Sequence, residues 1–139
     1  MNGKSIQLFS LGVKYGLYPG APTEYEAQYV FDVRHAIKDP YTVGGIHASG
    51  HEHAVREYIL SHAKDWLEQT FQYIKFLVDN WLKNSHEKTL KIYFTCRGGY
   101  QRSVVCANIM AERIRATIND NIPVTVQHLT MDLCRRTDV

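Results

Sequence analysis

The residues of this chain most suited to chemistry are a cysteine and an arginine six positions apart, with a serine directly after the arginine. Residues 96–103 read Cys-Arg-Gly-Gly-Tyr-Gln-Arg-Ser. This is the Cys-x5-Arg-Ser pattern of cysteine-dependent phosphatases, in which loop amides and the arginine lower the pKa of a thiol that attacks phosphorus. Rhodanese-type loops have one residue fewer between the cysteine and the arginine, so the spacing here favours a phosphate-sized group.

The same segment predicts a phosphate-binding loop, with or without catalysis. It lies between an apolar run and a helical pattern, where a glycine-containing turn directs backbone N–H groups into one concavity at the positive end of the helix dipole. A guanidinium adds two parallel hydrogen bonds that suit phosphate geometry. We therefore predict a phosphate subsite composed of Arg97, Gly98, Gly99, Tyr100, Gln101, Arg102 and Ser103.

Catalysis would also require a general acid for the leaving group. Asp32 and Asp39 are the acidic residues expected on strand ends or loops that face the predicted subsite, and Cys96 would be the nucleophile. Neither aspartate lies in a recognisable acid motif, so binding without turnover is favoured. The alternative for Cys96 is a small buried residue that ends a strand.

Strands and helices alternate around this loop. Apolar and β-branched runs predict strands at residues 6–13, 29–33, 90–94 and 124–126, and a short helix is predicted at 53–60. Two longer helices are indicated by stripes of apolar residues with spacings of three and four: Leu67, Phe71, Ile74, Val78 and Trp81, then Val104, Ala107, Ala111, Ile114 and Ile118. This alternation predicts an α/β layer fold, with about four largely parallel strands and long flanking helices.

Composition and length narrow the class of protein. The 139 residues are 45% hydrophobic and 22% charged, which suits one globular domain over residues 1–139. A net charge of +2 is too small to indicate a nucleic-acid or membrane partner by itself, and no apolar run approaches the ~18 residues of a membrane span. The polar N-terminus and the odd count of three cysteines predict a cytoplasmic protein without a disulfide framework.

Three blocks of the sequence resemble a known family. Residues 10–16 (SLGVKYG), 30–34 (VFDVR) and 96–104 (CRGGYQRSV) are similar, in order and separation, to the C-terminal domain of the RNase adapter protein RapZ. The resemblance covers most of the chain. It implies a domain that binds an amino-sugar phosphate, glucosamine 6-phosphate, and contributes to RNA binding and to oligomerisation, so a homo-oligomer is expected.

The resemblance also implies roles for residues outside the loop. Lys14 and Arg34 match the family and are expected to complete a cationic rim, with Asp32 orienting one of these cations or contacting a ligand hydroxyl. His128 aligns with a histidine near the C-terminus of the family and joins this predicted rim.

Some positions depart from the family. Arg97 and Gln101 replace the Thr that follows the cysteine and the His that precedes the loop arginine, and Pro40-Tyr41 stands where the family often shows Pro-His. The added cation at Arg97 is suited to a more highly charged ligand. The N-terminal P-loop domain of the family has no counterpart in this sequence, so we expect a standalone domain and carry over no nucleotide hydrolysis.

The histidines and aromatic residues outside this loop are interpreted as parts of the fold rather than of a site. His47, His51 and His53 match no standard zinc spacing, so a solvated loop and helix start is preferred to a metal site. The aromatic residues near the first helical stripe are expected in the core or in a subunit contact rather than in a base-stacking platform: Trp66, Phe71, Tyr73 and Trp81.

The sequence as a whole predicts a binding module for a phosphorylated small molecule, either a sugar phosphate or a nucleotide-like compound, that acts as a sensor, adapter or sequestering protein. A cysteine-dependent phosphatase and an RNA-binding adapter are the alternatives. Four arginines could contact RNA phosphates, although the low net charge favours a solvated face: Arg113, Arg115, Arg135 and Arg136. No metal and no cofactor are predicted.

Overall fold

The computed structural model describes residues 3–41, 43–118 and 121–131, and within these ranges four strands and three α-helices are formed. The strands are β1 (Ser5–Gly12), β2 (Glu26–Asp32), β3 (Thr89–Cys96) and β4 (Val124–His128). The helices are α1 (His53–His62), α2 (Lys64–Asn84) and α3 (Arg102–Thr117), and a 3-10 turn, Val13–Tyr15, follows β1. None of the helices in the described ranges has both the length and the apolarity needed to span a bilayer.

The four strands form one parallel sheet in the order β2-β3-β1-β4. Strand β1 pairs with β3 and with β4, and β2 pairs with β3, each time in parallel. Parallel neighbours require crossover connections of a dozen or more residues, and the helical segments before and after β3 supply them. The predicted fold class, an α/β layer fold with parallel strands and flanking helices, is confirmed.

The core lies between the helices and one face of the sheet. Alternate residues of the central strands are fully buried there, namely Ile6, Leu8, Leu90, Ile92 and Phe94. The two predicted stripes face the same core: α2 buries Leu67, Ile74, Val78 and Trp81, and α3 buries Val104, Ala107, Ala111 and Ile114. Each Val, Leu, Ile or Phe side chain of this set contributes about 1.5–3 kcal/mol when fully buried, so this shared core holds α3 against the sheet.

Some observed strand boundaries differ from the predicted ones, because backbone or polar contacts lengthen or end the strand there. Strand β2 begins at Glu26 rather than residue 29, and the Glu26 carboxylate lies 2.6 Å from the Nζ of Lys91 on the neighbouring strand. The prediction that β1 reaches Val13 is wrong by one residue. The chain turns there because the backbone N–H of Lys14 donates to the carbonyl oxygen of Arg97 at 3.0 Å.

The carboxyl ends of β1, β2 and β3 meet at one edge of the sheet. Gly12 is paired with Cys96, and Asp32 is paired with Thr95. In open parallel α/β sheets, ligands bind outside the carboxyl ends of the strands. The residues of the predicted site therefore lie at the edge where a ligand is expected.

Candidate functional site

The loop after β3 packs against the end of β1 with no room for side chains between them. Gly99 has φ +67°, in the left-handed region that favours glycine. A Cβ atom on Gly12 would lie within 2.4 Å of the carbonyl carbon and oxygen of Gly98. The backbone N–H of Gly12 also donates to the Thr130 Oγ1 at 2.7 Å. Glycines at positions 12 and 99 thus allow the loop to close directly onto the sheet.

The sulfur of Cys96 is held by polar groups of this loop and of α3. The backbone N–H of Gly99 donates to the Sγ atom at 3.1 Å, and the Ser103 Oγ lies 3.2 Å from the same sulfur. Cys96 is only 2% exposed and Ser103 is fully buried. Gly99 and Ser103 therefore contact the sulfur, while neither lines the neighbouring cavity.

A cavity of about 390 Å³ opens beside this loop. It falls at the lower end of the ~300–1,000 Å³ range of small-molecule sites. Three cations and one carboxylate are among its lining residues, which are Lys14, Asp39, Tyr41, Cys96, Arg97, Gly98, Tyr100, Gln101 and Arg102. The structure thus brings Lys14 together with much of the predicted loop, and it adds Asp39 from the segment after β2.

Tyr41 is the lining residue that sequence reasoning did not select. It is 54% exposed, and its ring meets the His47 ring edge-on at 4.5 Å between centroids. The local sequence around Asp39-Pro40-Tyr41 reads only as a turn, and the backbone N–H of Tyr41 indeed donates to the Asp39 Oδ1 at 3.0 Å. The sequence suggested Asp39 as a residue that faces the loop after β3, but it gave no signal for Tyr41, whose place in the lining only the folded chain reveals.

Arg102 and Gln101, at the start of α3, anchor the segment that forms the opposite wall. The Arg102 Nη1 donates to the carbonyl oxygens of Arg34 at 3.1 Å and Ile37 at 3.2 Å. The Gln101 Nε2 donates to the carbonyl oxygens of Ile46 and Ala48. Arg102 and Gln101 are 8% and 7% exposed. Both side chains therefore line the cavity and also fix the loop that carries Asp39 and Tyr41.

Comparison with known protein families shows which family the chain belongs to. Residues 4–132 match the sequence profile of the RapZ C-terminal domain. The chain belongs to the RapZ C-terminal domain family. The resemblance drawn from the three sequence blocks is confirmed.

Several curated relatives are similar over most of this RapZ C-terminal domain. A nucleotide-binding protein of Clostridium acetobutylicum is 32% identical over 126 residues, which are 88% of this chain and 39% of the relative. A nucleotide-binding protein of Lachnoclostridium phytofermentans is 35% identical over 115 residues (81% and 38%). One of Caldicellulosiruptor saccharolyticus is 36% identical over 113 residues (79% and 36%). The chain thus spans about two fifths of the length of these relatives.

Asp32 and Arg34 form an ion pair at the end of β2. The Arg34 Nη2 lies 2.7 Å from the Asp32 Oδ2, and the Arg34 Nε contacts both carboxylate oxygens at 3.0 Å. The hydrogen bond from the Arg34 side chain lowers the pKa of Asp32, and the same contact raises the pKa of Arg34. A carboxyl group with a lowered pKa is a weak choice for a general acid. Neither residue is among those lining the described cavity.

His128, expected on the rim, lies instead in a buried chain of polar side chains and is 8% exposed. Its Nδ1 is 2.7 Å from the Ser10 Oγ, and its Nε2 is 3.0 Å from the Asn108 Oδ1. The His51 ring meets the His128 ring edge-on at 5.0 Å. These contacts connect β1, β4 and α3, so in the described structure His128 joins elements of the fold rather than lining the cavity.

The three histidines of the 47–53 segment have separate surroundings. His47 contacts Tyr41, His51 contacts His128, and the His53 Nε2 lies 3.7 Å from the Glu57 Oε1. Over residues 3–41, 43–118 and 121–131, no three His, Cys, Asp or Glu side chains are grouped closely enough to hold a metal ion.

The aromatic residues near α2 divide between core and surface. Trp81 is 2% exposed, and its Nε1 donates to the Glu87 carbonyl oxygen at 3.0 Å. Trp66 and Phe71 are half-buried against the core, whereas Tyr73 is 53% exposed. A second cavity of about 300 Å³ lies between α2 and α3, lined largely by apolar side chains and without an anion-binding loop.

The arginines considered for RNA have intramolecular partners where they are described. The Arg113 Nη1 lies 3.5 Å from the Glu68 Oε2, and the Arg115 Nη2 donates to the Val124 carbonyl oxygen at 2.7 Å. Arg135 and Arg136 lie outside the described residues, as does Cys134. The described part of the surface therefore adds no support to an RNA site.

Proposed function

We propose that this RapZ C-terminal domain binds a phosphorylated small molecule in the cavity beside the loop after β3. The observation that carries the proposal is the convergence of Lys14, Arg97 and Arg102 on one cavity that is also lined by the glycine loop. Cations and a helix N-terminus each favour phosphate, and α3 begins at Arg102 beside this cavity. The cavity lies at the carboxyl edge of a parallel sheet, where ligands bind in this class of fold.

The ligand class combines a phosphate with a polar body. Asp39 and two tyrosines, Tyr41 and Tyr100, line the same cavity as the cations. A carboxylate accepts hydrogen bonds from hydroxyl or amino groups, and tyrosine rings pack against a sugar or a base. The similar proteins named above are described as nucleotide-binding. Sugar phosphates and nucleotides are therefore the compounds to test, with a sensing, adapting or sequestering role for the domain.

Ligand-dependent thermal unfolding tests the proposal. A ligand that binds only the folded state stabilises it by about 2.7 kcal/mol at a concentration of 100 Kd. Glucosamine 6-phosphate, glucose 6-phosphate and AMP would be compared with glucosamine, glucose and adenosine. We expect an increase in Tm from at least one phosphorylated compound and from none of the unphosphorylated ones. Equal shifts within each pair would refute the phosphate site.

The variant for this test has to spare the loop anchor. Arg102→Ala would remove a cation and also leave the carbonyl oxygens of Arg34 and Ile37 without their donor. Arg102→Lys keeps the charge and loses the forked geometry, so we expect about tenfold weaker binding. Lys64→Ala, at the exposed start of α2, is the control for a general loss of charge.

A cysteine-dependent phosphatase is the second candidate, and one observation favours it. Cys96 and Asp39 line the same cavity, so a nucleophile and an acid are available together. In that reaction the thiolate would attack phosphorus, the ester P–O bond would break, and the leaving oxygen would take the Asp39 proton. Water would then attack the phosphocysteine and give a proton to the Asp39 carboxylate, which releases inorganic phosphate and regenerates both the thiolate and the protonated Asp39.

Hydrolysis of p-nitrophenyl phosphate decides between the candidates. A phosphatase requires turnover that is abolished in Cys96→Ser and reduced in Asp39→Asn. For a binding module we expect no turnover in the parent protein, and ligand-induced shifts in Tm that persist in Cys96→Ser. Robust, cysteine-dependent turnover would make the phosphatase the preferred function.

A further inference from the structure

Two exposed cations line the cavity and come from segments that are joined through the backbone. Lys14 and Arg97 both line it, and their backbones are joined by the 3.0 Å hydrogen bond from the Lys14 N–H to the Arg97 carbonyl oxygen. Neither side chain forms an ion pair with a carboxylate in the described part of the chain. Two cations that line one cavity raise the positive potential there, which favours an anionic group of the ligand.

Arg102 is in a different environment on the same cavity. It is 8% exposed and its Nη1 is bonded to the carbonyl oxygens of Arg34 and Ile37, whereas Arg97 is exposed. The backbone hydrogen bond that joins Lys14 and Arg97 does not involve Arg102. The cationic lining therefore has an inner part, Arg102, and an outer part, Lys14 with Arg97.

The cavity lining carries more positive than negative charge. Asp39 is the carboxylate that the described residues contribute to the cavity, and its Oδ1 already accepts the backbone N–H of Tyr41 at 3.0 Å. Three cations, Lys14, Arg97 and Arg102, line the same cavity, so its described lining has an excess of positive charge. Neutralisation by a ligand is the arrangement that a charged, solvent-open site favours.

We propose that the site selects ligands that carry two anionic groups, one held at Arg102 and the glycine loop and the second held at Lys14 and Arg97. The expected class is a bisphosphorylated small molecule, such as a sugar bisphosphate or a nucleoside diphosphate. This inference rests on the proposed function, because the first phosphate must occupy the inner part of the cavity. Arg97 is then the residue that determines specificity for the second group.

Isothermal titration with matched ligand pairs tests the proposal. Glucose 6-phosphate would be compared with glucose 1,6-bisphosphate, which has separated phosphates, and AMP with ADP, which has adjacent ones. For at least one pair we expect the bisphosphorylated compound to bind about tenfold more tightly, the factor that one charge-assisted contact supplies. That advantage should also shrink as salt is added, because the outer cations are exposed.

Arg97→Ala distinguishes the second anionic site from the first. We expect the variant to reduce the affinity ratio within the pair to near one, because it should weaken the bisphosphorylated compound about tenfold more than the monophosphorylated one. Lys64→Ala is the control, because Lys64 is an exposed cation of α2 that does not line this cavity. It should leave the affinity ratio unchanged.

The remaining outcomes separate this inference from the proposed function. If Arg97→Ala weakens both members of a pair equally, Arg97 serves the first phosphate, and the second site is refuted while phosphate binding stands. Equal affinities within both pairs in the parent protein, or a bisphosphate preference that survives Arg97→Ala, also overturn the second site alone. If no phosphorylated compound binds, both proposals fail.

Discussion

Replacing Gln101 tests whether one side chain holds the wall of the cavity in place. Its amide nitrogen donates to the carbonyl oxygens of Ile46 and Ala48 at 2.8 and 2.7 Å, and the residue is 7% exposed. Gln101→Ala removes both donors. Gln101→Glu keeps the size of the side chain but directs a carboxylate at two carbonyl oxygens.

The two variants differ in magnitude and in pH dependence. Each neutral hydrogen bond contributes about 0.5–1.5 kcal/mol, so Gln101→Ala should lower the free energy of unfolding by about 1–3 kcal/mol. Gln101→Glu should lower it further at pH 7, because a buried carboxylate without donors is strongly disfavoured. Burial and the facing carbonyl oxygens raise the pKa of the introduced carboxyl in the folded state above its unfolded value of about 4.3. The stability deficit of this variant is therefore largest above the folded pKa and shrinks as pH falls through it.

Urea denaturation of the parent and both variants between pH 5 and pH 8 measures these differences, expressed against the parent at each pH. Gln69→Glu, at an exposed position of α2, is the matched control and should show no such pH-dependent deficit. Hydrogen exchange should accelerate in residues 43–48 of both Gln101 variants, since this segment loses its anchor. If both variants unfold like the parent and exchange in 43–48 is unchanged, the reasoning about this anchor is refuted.

Three further predictions concern contacts around the sheet. Gly12→Ala should displace the loop, because its Cβ would lie 2.4 Å from Gly98. At a ligand concentration that saturates the parent protein, we expect thermal unfolding of the variant to show no ligand-induced increase in Tm. The pKa of Glu26 is lowered by its hydrogen bond from Lys91. The Glu26–Lys91 pair therefore stabilises the fold above about pH 4.5, and its contribution to the free energy of unfolding is lost as the pH falls. Glu26→Gln should flatten this part of the stability-versus-pH curve. Lys4→Met removes two charge-assisted bonds of 2.8 Å to the C-terminal end of α2, and urea denaturation should show a loss of about 2 kcal/mol.

The elements of the fold were predictable because each has a local pattern. Apolar spacing of three and four positions located α2 and α3, whose buried residues follow the predicted stripes. The β-branched and aromatic runs located all four strands. Their ends were less accurate: β2 starts at Glu26, where a cross-strand contact with Lys91 stabilises a polar residue in the sheet. Such a contact depends on which strands are neighbours, and no single strand contains that information.

The candidate site was predicted in part. The loop residues Arg97, Gly98 and Arg102 line the cavity together with Cys96, as their contiguity in sequence suggested. Other residues have different surroundings from those expected. Ser103 supports the cysteine sulfur and His128 joins β4 to β1 and α3. In both cases the residue type correctly indicated a polar contact. Which group the side chain contacts depends on how the elements pack, and the sequence pattern does not give that.

By itself, the sequence determined the alternation of strands and helices, the family, and the loop that carries the cysteine and the arginine. These features are encoded in residues that are near one another along the chain, through side-chain periodicity and glycine conformation. Only the tertiary structure decided that Asp39 rather than Asp32 lines the cavity, that Tyr41 lines it too, and that Gln101 and Arg102 anchor this wall. It also decided that the Lys14 N–H donates to the Arg97 carbonyl oxygen. Those contacts join segments that are distant in sequence, so they exist only after the sheet has brought the strand ends to one edge.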